Sequence, residues 1–336
     1  MFYMSFKPHF IVYGVGAVGG MYGAQLLAEK NWQNLDYEVS FIARNETYKV
    51  LKNEGIKFHV CNDDDSIDHF DSKSLNVYSK LEEISFARDE YPVILLCVKS
   101  KDTEVCAKNI GNFVKTKKLS DYLVISIQNG VENEDILASV LGKEKVMGAY
   151  TNVLAEVLAP GDYVRKGNYW LCLGELEGNL CLGIEGVKRT DLLADIFTQA
   201  NLVVKTSDDI RADLWEKLVW NAAFNPISVL YEADIRSLLD NPRARAQIIN
   251  VMKETRELAQ LLNIKLDPEI DSKHFKRTDA FNWQGFKTSM LQDYLRNRPI
   301  ELEQLLGVVV RLSKEYNFNA KYATELYEEL HQKLAV

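Results

Sequence analysis

The sequence predicts an α/β protein, with a doubly wound, mostly parallel sheet at the N-terminus and an all-helical C-terminal domain. Three observations carry this expectation. Apolar strand-like runs alternate with helix-like segments over roughly the first two hundred residues. A glycine-rich turn stands at the first strand–helix junction. From about Ser207 the strand patterns stop, and apolar residues recur at three- and four-residue spacing.

The first strand, over residues 10–13, runs into Gly14-Val15-Gly16-Ala17-Val18-Gly19 and then a helical stretch beginning Met21-Tyr22-Gly23. In a Rossmann-type unit each glycine has a reason. Gly14 allows the tight turn, Gly16 lets the backbone approach a pyrophosphate, and Gly19 lets the helix pack close to the strand. Phosphates then sit at the helix N-terminus, where unpaired N–H groups and the dipole favour anions. A purely structural glycine turn is the alternative.

Further strands are expected over residues 39–42, 93–98, 122–127 and 146–150, and helices over 102–113 and 133–141. The stretch Asn62-Asp63-Asp64-Asp65-Ser66-Ile67-Asp68 is expected to be an exposed loop or hairpin tip, because it lacks the glycine and terminal glutamate of a calcium loop. Helices are predicted over 210–230, 244–262, 300–316 and 322–334, with Asp208 or Asp209 as a cap for the first. The expected domains are 1–206 and 207–336, with a small ligand in the cleft between them.

Bulk properties narrow the function. The chain has 336 residues, 47% of them hydrophobic and 26% charged, the balance of a globular protein with a sizeable core. A formal charge of −8 argues against a general nucleic-acid binder. No apolar run is long enough to span a bilayer, and no signal-peptide core opens the chain, so a cytoplasmic protein without membrane attachment is expected. Cys61, Cys97, Cys106, Cys172 and Cys181 form no C-x-x-C pair and are expected to be buried free thiols. The five histidines show no ligand spacing, so no metal is expected.

The second strand ends Phe41-Ile42-Ala43-Arg44-Asn45, without the carboxylate that an NAD site uses on the ribose hydroxyls. Arg44 instead suits a 2′-phosphate through its planar fork, which favours NADP (NADPH). It stands about thirty residues beyond the glycine turn rather than about twenty, an excess ascribed to a long helix-to-strand connection over 30–36. A solvated surface arginine is the alternative.

Two more strand ends carry chemical residues, Val98-Lys99-Ser100 and Gln128-Asn129-Gly130, where α/β sheets place their ligands. An ordinary lysine and an ordinary turn are the alternatives. In the second half, Leu214-Trp215-Glu216-Lys217-Leu218-Val219-Trp220-Asn221-Ala222-Ala223-Phe224-Asn225-Pro226 puts Lys217 and Asn221 on one helical face, with Asn225 where Pro226 is expected to disturb the helix. A lysine in this apolar run either snorkels or lines a cleft; the aligned asparagines favour the cleft. There its pKa shifts, and it can donate a proton to a developing alkoxide. Ser289-Met290-Leu291-Gln292-Asp293 and Arg298-Pro299-Ile300-Glu301-Leu302-Glu303 follow. Alone, Ser289 and Glu301 read as a cap and a surface acid.

In this order the glycine turn, V-K-S, Q-N-G, K-L-x-x-N-x-x-x-N-P, S-M-L-Q-D and R-P-x-E resemble the ketopantoate reductases (2-dehydropantoate 2-reductases) over residues 9–316. The K-L-x-x-N and S-M-L-Q-D blocks are specific, whereas the glycine turn is shared by many dehydrogenases. The resemblance implies NADPH-dependent reduction of 2-dehydropantoate to (R)-pantoate, toward pantothenate and coenzyme A, by a monomer or homodimer. It implies Lys217 as general acid and Glu301 as an orienting carboxylate that also borders the cofactor. It further implies Asn129, Asn221, Asn225 and Ser289 at the substrate. At the cofactor it implies Gly14, Val15, Gly16, Ala17, Val18 and Gly19 with Arg44, Lys99 and Asn129. The chain departs from the family pattern at Glu303, Leu306 and Lys321, which leaves the exact 2-oxo acid open. A D-mandelate-type 2-hydroxyacid dehydrogenase, or a non-catalytic NADP-binding sensor, are the alternatives.

Overall fold

A computed structural model describes residues 7–61, 67–178, 180, 187–281 and 283–335. The chain divides into two compact units, one of residues 1–128 and 133–210, the other of 129–132 and 211–336.

The first unit opens with β1 (Lys7–Tyr13), α1 (Ala17–Gln33), β2 (Glu38–Ile42) and α2 (Asn45–Asn53). A hairpin follows, β3 (Ile56–Cys61) and β4 (Ile67–Ser72), then β5 (Asn76–Tyr78), β6 (Glu90–Leu96), α3 (Thr103–Lys117), β7 (Leu123–Ser126) and α4 (Asn133–Leu141). The unit closes with β8 (Val146–Ala159), β9 (Asp162–Glu175), α5 (Arg189–Gln199) and β10 (Val204–Ser207).

All the strands among the described residues belong to one sheet in the order β4-β3-β9-β8-β7-β6-β1-β2-β5, with β10 beside β9. From β8 to β5 the pairings are parallel. Their apolar residues fill both faces. Phe10, Val12, Val93, Leu95, Leu123 and Ile125 join a core with Met21, Tyr22, Ala24 and Leu26 of α1 and Phe197 of α5. The alternating residues Ile11, Ile94, Leu96 and Val124 are equally buried. A sheet covered on both faces is the doubly wound arrangement expected.

The sequence reading ended its fifth strand at Tyr150, but β8 continues to Ala159 and pairs antiparallel with β9. Polar Thr151, Asn152 and Glu156 interrupt the apolar run that marks a buried strand. The excess spacing before Arg44 is mostly helix: α1 reaches Gln33, and Asn34 ends it in the left-handed conformation at φ 54°. The acidic residues 62–66 lie outside the described residues; the strands flanking them pair as a hairpin. Of the cysteines, Cys106 and Cys172 are buried free thiols, Cys61 and Cys97 are only half-buried, and Cys181 is outside the described residues.

The second unit has only helices as regular elements among its described residues. It contains α6 (Ile210–Tyr231), α7 (Ile235–Asp240), α8 (Pro242–Leu261), α9 (Ile270–Ala280), α10 (Ser289–Leu295), α11 (Val308–Glu315) and α12 (Lys321–Leu334). Pro226 lies inside α6 and does not end it. The lost backbone donor is tolerated because the surrounding turn is locked by burial of Phe224, Ile227 and Val229, all 0% exposed. The helix predicted over 300–316 is present over 302–315, opened by a wide π turn, Glu303–Gly307, that leads into α11. No described helix is long and apolar enough to cross a membrane.

Candidate active site

In the first unit, β1, β2 and β6 run parallel, so the residues after their carboxyl ends share one edge of the sheet. The glycine turn leaves β1 there. Gly14 has φ +100°, and a Cβ on it would lie 2.7 Å from Val98 Cγ1. A Cβ on Gly19 would lie 2.1 Å from the Gly14 carbonyl oxygen, so α1 can approach the turn only with glycine there. Gly16 is different: it precedes the first turn of α1, and a Cβ there would meet nothing within 4 Å. The turn is therefore open on the side where α1 presents its first N–H groups, and that helical turn carries no acidic residue. Val15 is buried, and Ala17 and Val18 are half-buried, so this face of the turn is backbone and small apolar side chain.

Arg44 follows β2 and precedes α2. Its side chain is 65% exposed and touches Asp102 only at 3.5 Å. Lys99, after β6, is exposed. The strand-end turn beside it is fixed by buried Gln128, which donates from Nε2 to the Val98 carbonyl at 3.0 Å and to Thr103 Oγ1 at 2.8 Å. The sequence reading had passed over Gln128 in favour of its neighbour Asn129. Its only sequence signal was its place at a strand end. Cys97 lies against Gly19, and desolvation pushes its thiol up to about 12, toward the protonated form.

In the second unit, Lys217 is brought to Asn129: Nζ donates to Oδ1 at 2.9 Å. Lys217 is half-buried, and the protein around it desolvates its ammonium group. That desolvation lowers its pKa to about 8, against the opposing pull of the Glu301 carboxylate. Glu301 is buried, just before the π turn. π turns inside helical segments are frequent at functional sites, because they displace one residue from the regular helical path. Tyr327 holds this one by donating to the Glu303 carboxylate at 2.9 Å.

Asn221 and Asn225 follow Lys217 at successive turns of α6 and are 8% and 2% exposed. Amides buried to this degree favour a polar partner over apolar surroundings. The helix that carries them is held firmly. Trp220 stacks on Phe224 with centroids 4.6 Å apart, and its indole donates to Thr278 Oγ1 at 3.1 Å.

Ser289 is the first residue of α10 and is exposed; the cap of that helix is Thr288, whose hydroxyl accepts from Leu291 N at 3.2 Å. Thr288 also bonds Ser228 at 2.6 Å, and Ser228 donates to the Asn225 carbonyl at 2.7 Å. This buried relay ties the start of α10 to the Asn225 turn. Sequence reasoning found Ser289 and Asn225 but not the two hydroxyls that join their segments.

Chemically, the first unit offers an anion-binding turn with a cation near one strand end. The second offers a desolvated ammonium of lowered pKa beside a carboxylate, with two buried amides along the same helix. Among the described residues, no group of three or more His, Cys, Asp or Glu side chains could hold a metal ion.

Comparison with known proteins agrees with this arrangement. Family models described as "Ketopantoate reductase PanE/ApbA" and its C-terminal counterpart match residues 10–178 and 209–334. The 2-dehydropantoate 2-reductase of Archaeoglobus fulgidus is 26% identical over 308 residues, 92% of each chain. The crystal structure of a PanE/ApbA family ketopantoate reductase from Ralstonia eutropha JMP134 is similar at TM-score 0.79 and 26% identity, covering 97% of this chain and 98% of that one. A ternary structure of D-mandelate dehydrogenase with NADH and anilino(oxo)acetate shares the fold at TM-score 0.80 and 22% identity, over 97% of this chain and 98% of that one. On the glycine turn, the lysine–asparagine pair and family matches spanning both units, this chain belongs to the ketopantoate reductase family.

Proposed function

We propose that this chain reduces 2-dehydropantoate to (R)-pantoate with NADPH, on the route to pantothenate and coenzyme A. The observation that carries the reading is the desolvated Lys217 ammonium, which donates to Asn129 and is carried on the helix that also presents the Asn221 and Asn225 amides. Relatives named 2-dehydropantoate 2-reductase, and the NADH-bound mandelate dehydrogenase, support a 2-oxo acid substrate and a nicotinamide cofactor.

The residues of the first unit fit such a cofactor. The open backbone at Gly16, at the start of a helix without an acidic first turn, suits a pyrophosphate. Arg44, exposed and only loosely engaged, suits a 2′-phosphate, and exposed Lys99 follows β6, on the other side of β1 in the sheet. When bound, the reduced nicotinamide supplies the hydride to the carbonyl carbon.

The chain's own residues do the rest. Lys217 donates its proton to the carbonyl oxygen as that oxygen becomes an alkoxide, and its charge stabilises the oxyanion while it forms. Asn129 aims the ammonium. Asn221 and Asn225 bind hydroxyl or carboxylate oxygens of the substrate, assisted by Ser289, and Glu301 accepts from a hydroxyl to fix its orientation.

The test is a substrate panel of 2-oxo acids with NADPH and NADH, followed by nicotinamide absorbance. Highest kcat/KM for 2-dehydropantoate with NADPH is expected. Preference for an aryl 2-oxo acid would move the chain to the mandelate-type reading. No turnover with any oxo acid would leave a nucleotide-binding sensor.

A further inference from the structure

Away from this site, the hairpin of the first unit brings together two histidines that are ten residues apart in sequence, a spacing without a metal-binding signature. His59 on β3 and His69 on β4 stand directly opposite each other in the antiparallel register. Their Nδ1 atoms are 3.0 Å apart, with ring centroids at 4.7 Å and planes inclined by 40°.

The far nitrogen of each ring meets a carboxylate. His59 Nε2 is 2.8 Å from Asp162 Oδ1, at the start of β9, and His69 Nε2 is 2.8 Å from Asp71 Oδ2. An ionised carboxylate only accepts, so each Nε2 carries a proton and donates it. In the neutral rings, both Nδ1 atoms then present lone pairs to one another. Two lone pairs at 3.0 Å repel unless an electrophile lies between them, either a single shared proton or a metal cation.

We propose that His59 and His69 form a two-nitrogen site for a divalent first-row transition cation, with Asp162 and Asp71 as its positioning groups. Nitrogens bound at about 2.0–2.1 Å and separated as here subtend roughly a right angle at the ion. That is the cis angle of a tetragonal or octahedral centre, which suits Cu²⁺ or Ni²⁺ better than tetrahedral Zn²⁺, and Cu²⁺ stands highest in the affinity order. A carboxylate behind each ring is the outer arrangement metal-bound histidines use to fix their tautomer. His59 is mostly buried, at 24% side-chain exposure, and His69 is open at 48%, so solvent reaches the pair and water completes the coordination. The bound ion would tie β4, the end strand of the sheet, to β3 and through Asp162 to β9.

The test uses the full chain, freed of metal with a chelator and titrated with Cu²⁺ and separately with Ni²⁺. One equivalent of Cu²⁺ is expected to bind, with an electron paramagnetic resonance spectrum showing coupling to two imidazole nitrogens. H69Q and H59Q should each weaken binding by about a hundredfold or more, and D71N by about tenfold. Ni²⁺ should raise the Tm of the unsubstituted protein and leave that of H69Q, a surface substitution compatible with folding, unchanged. Equal Cu²⁺ affinity of H69Q and the unsubstituted chain, or a spectrum without imidazole coupling, would mean that the rings share only a proton, and the proposal would fall.

Discussion

Lys217 Nζ donates to the Asn129 amide oxygen at 2.9 Å, a neutral acceptor holding a cation. The difference from a carboxylate partner is chemical. An amide orients the ammonium without adding a full opposing charge, so desolvation prevails over the Glu301 carboxylate and the pKa comes down to about 8. A group with that value is largely protonated at neutral pH yet gives up its proton readily, as a general acid must.

The first prediction concerns rate and pH. In the reductive direction kcat/KM should be level below pH 8 and fall as the pH rises through about 8, because the donor is then lost. K217R should move that limb upward out of range. K217A should remove the limb and lower kcat by about 10²–10⁴-fold while leaving NADPH binding near its original strength. An alanine variant that keeps full kcat would take Lys217 out of the chemistry.

The same lysine makes a stability prediction. Its native pKa, about 8, lies below the ordinary 10.5, so between these values the unfolded chain binds the extra proton. Stability due to this group therefore rises as the pH increases from about 8 to 10.5, and below pH 8 its burial is fully destabilising. K217M should be more stable than the unsubstituted protein at pH 7, by on the order of 2 kcal/mol. Urea melts at pH 7 and pH 10 check it, and the gap should narrow at the higher pH.

Arg44 separates the two cofactors. R44A should weaken NADPH binding by about 1.5–3 kcal/mol, the loss of a charged hydrogen bond, and leave NADH nearly unaffected. Equal losses for both, measured by fluorescence titration, would refute the 2′-phosphate assignment.

His274 on α9 answers to acid. Burial, with Arg277 adding to it, lowers its pKa from 6.5 to about 4, and its Nε2 lies 3.5 Å from Glu216, beyond good hydrogen-bond distance. The unfolded chain takes up this proton first, so stability falls as the pH drops from 6.5 toward 4. H274Q should flatten that part of the stability profile, by up to about 3 kcal/mol at its acid end. An unaltered slope would show that other groups govern acid unfolding.

Arg189, at the start of α5, pairs with Glu175 at the end of β9 through Nε–Oε1 at 2.6 Å and Nη2–Oε2 at 2.5 Å, both side chains almost fully buried. E175A leaves the guanidinium buried without its counter-ion and should destabilise the protein by about 3–5 kcal/mol. Replacing both partners with apolar residues should restore much of that loss, and the double-mutant cycle in urea measures the coupling.

Much of this was visible along the chain. Alternating apolar runs marked β1, β2, β6 and β7, because a strand covered on both faces must be apolar over its whole length. The long hairpin of β8 and β9 was not visible, since its outer part alternates with polar residues and depends on a partner strand for its shape. Pro226 was expected to disturb a helix that it leaves intact, because tertiary burial outweighs one missing donor.

By itself the sequence determined the local things: the glycine turn, whose conformation depends on absent side chains, and the helical face that lines up Lys217, Asn221 and Asn225. Only the tertiary structure decided what each of those groups meets. Asn129 lies 88 positions from Lys217 and reaches it through folding alone, and the desolvation of that ammonium, which lowers its pKa, is a property of packed surroundings. Bond geometry and helical periodicity act over a few residues, whereas desolvation and charge act through space, between residues that the order of the chain keeps apart.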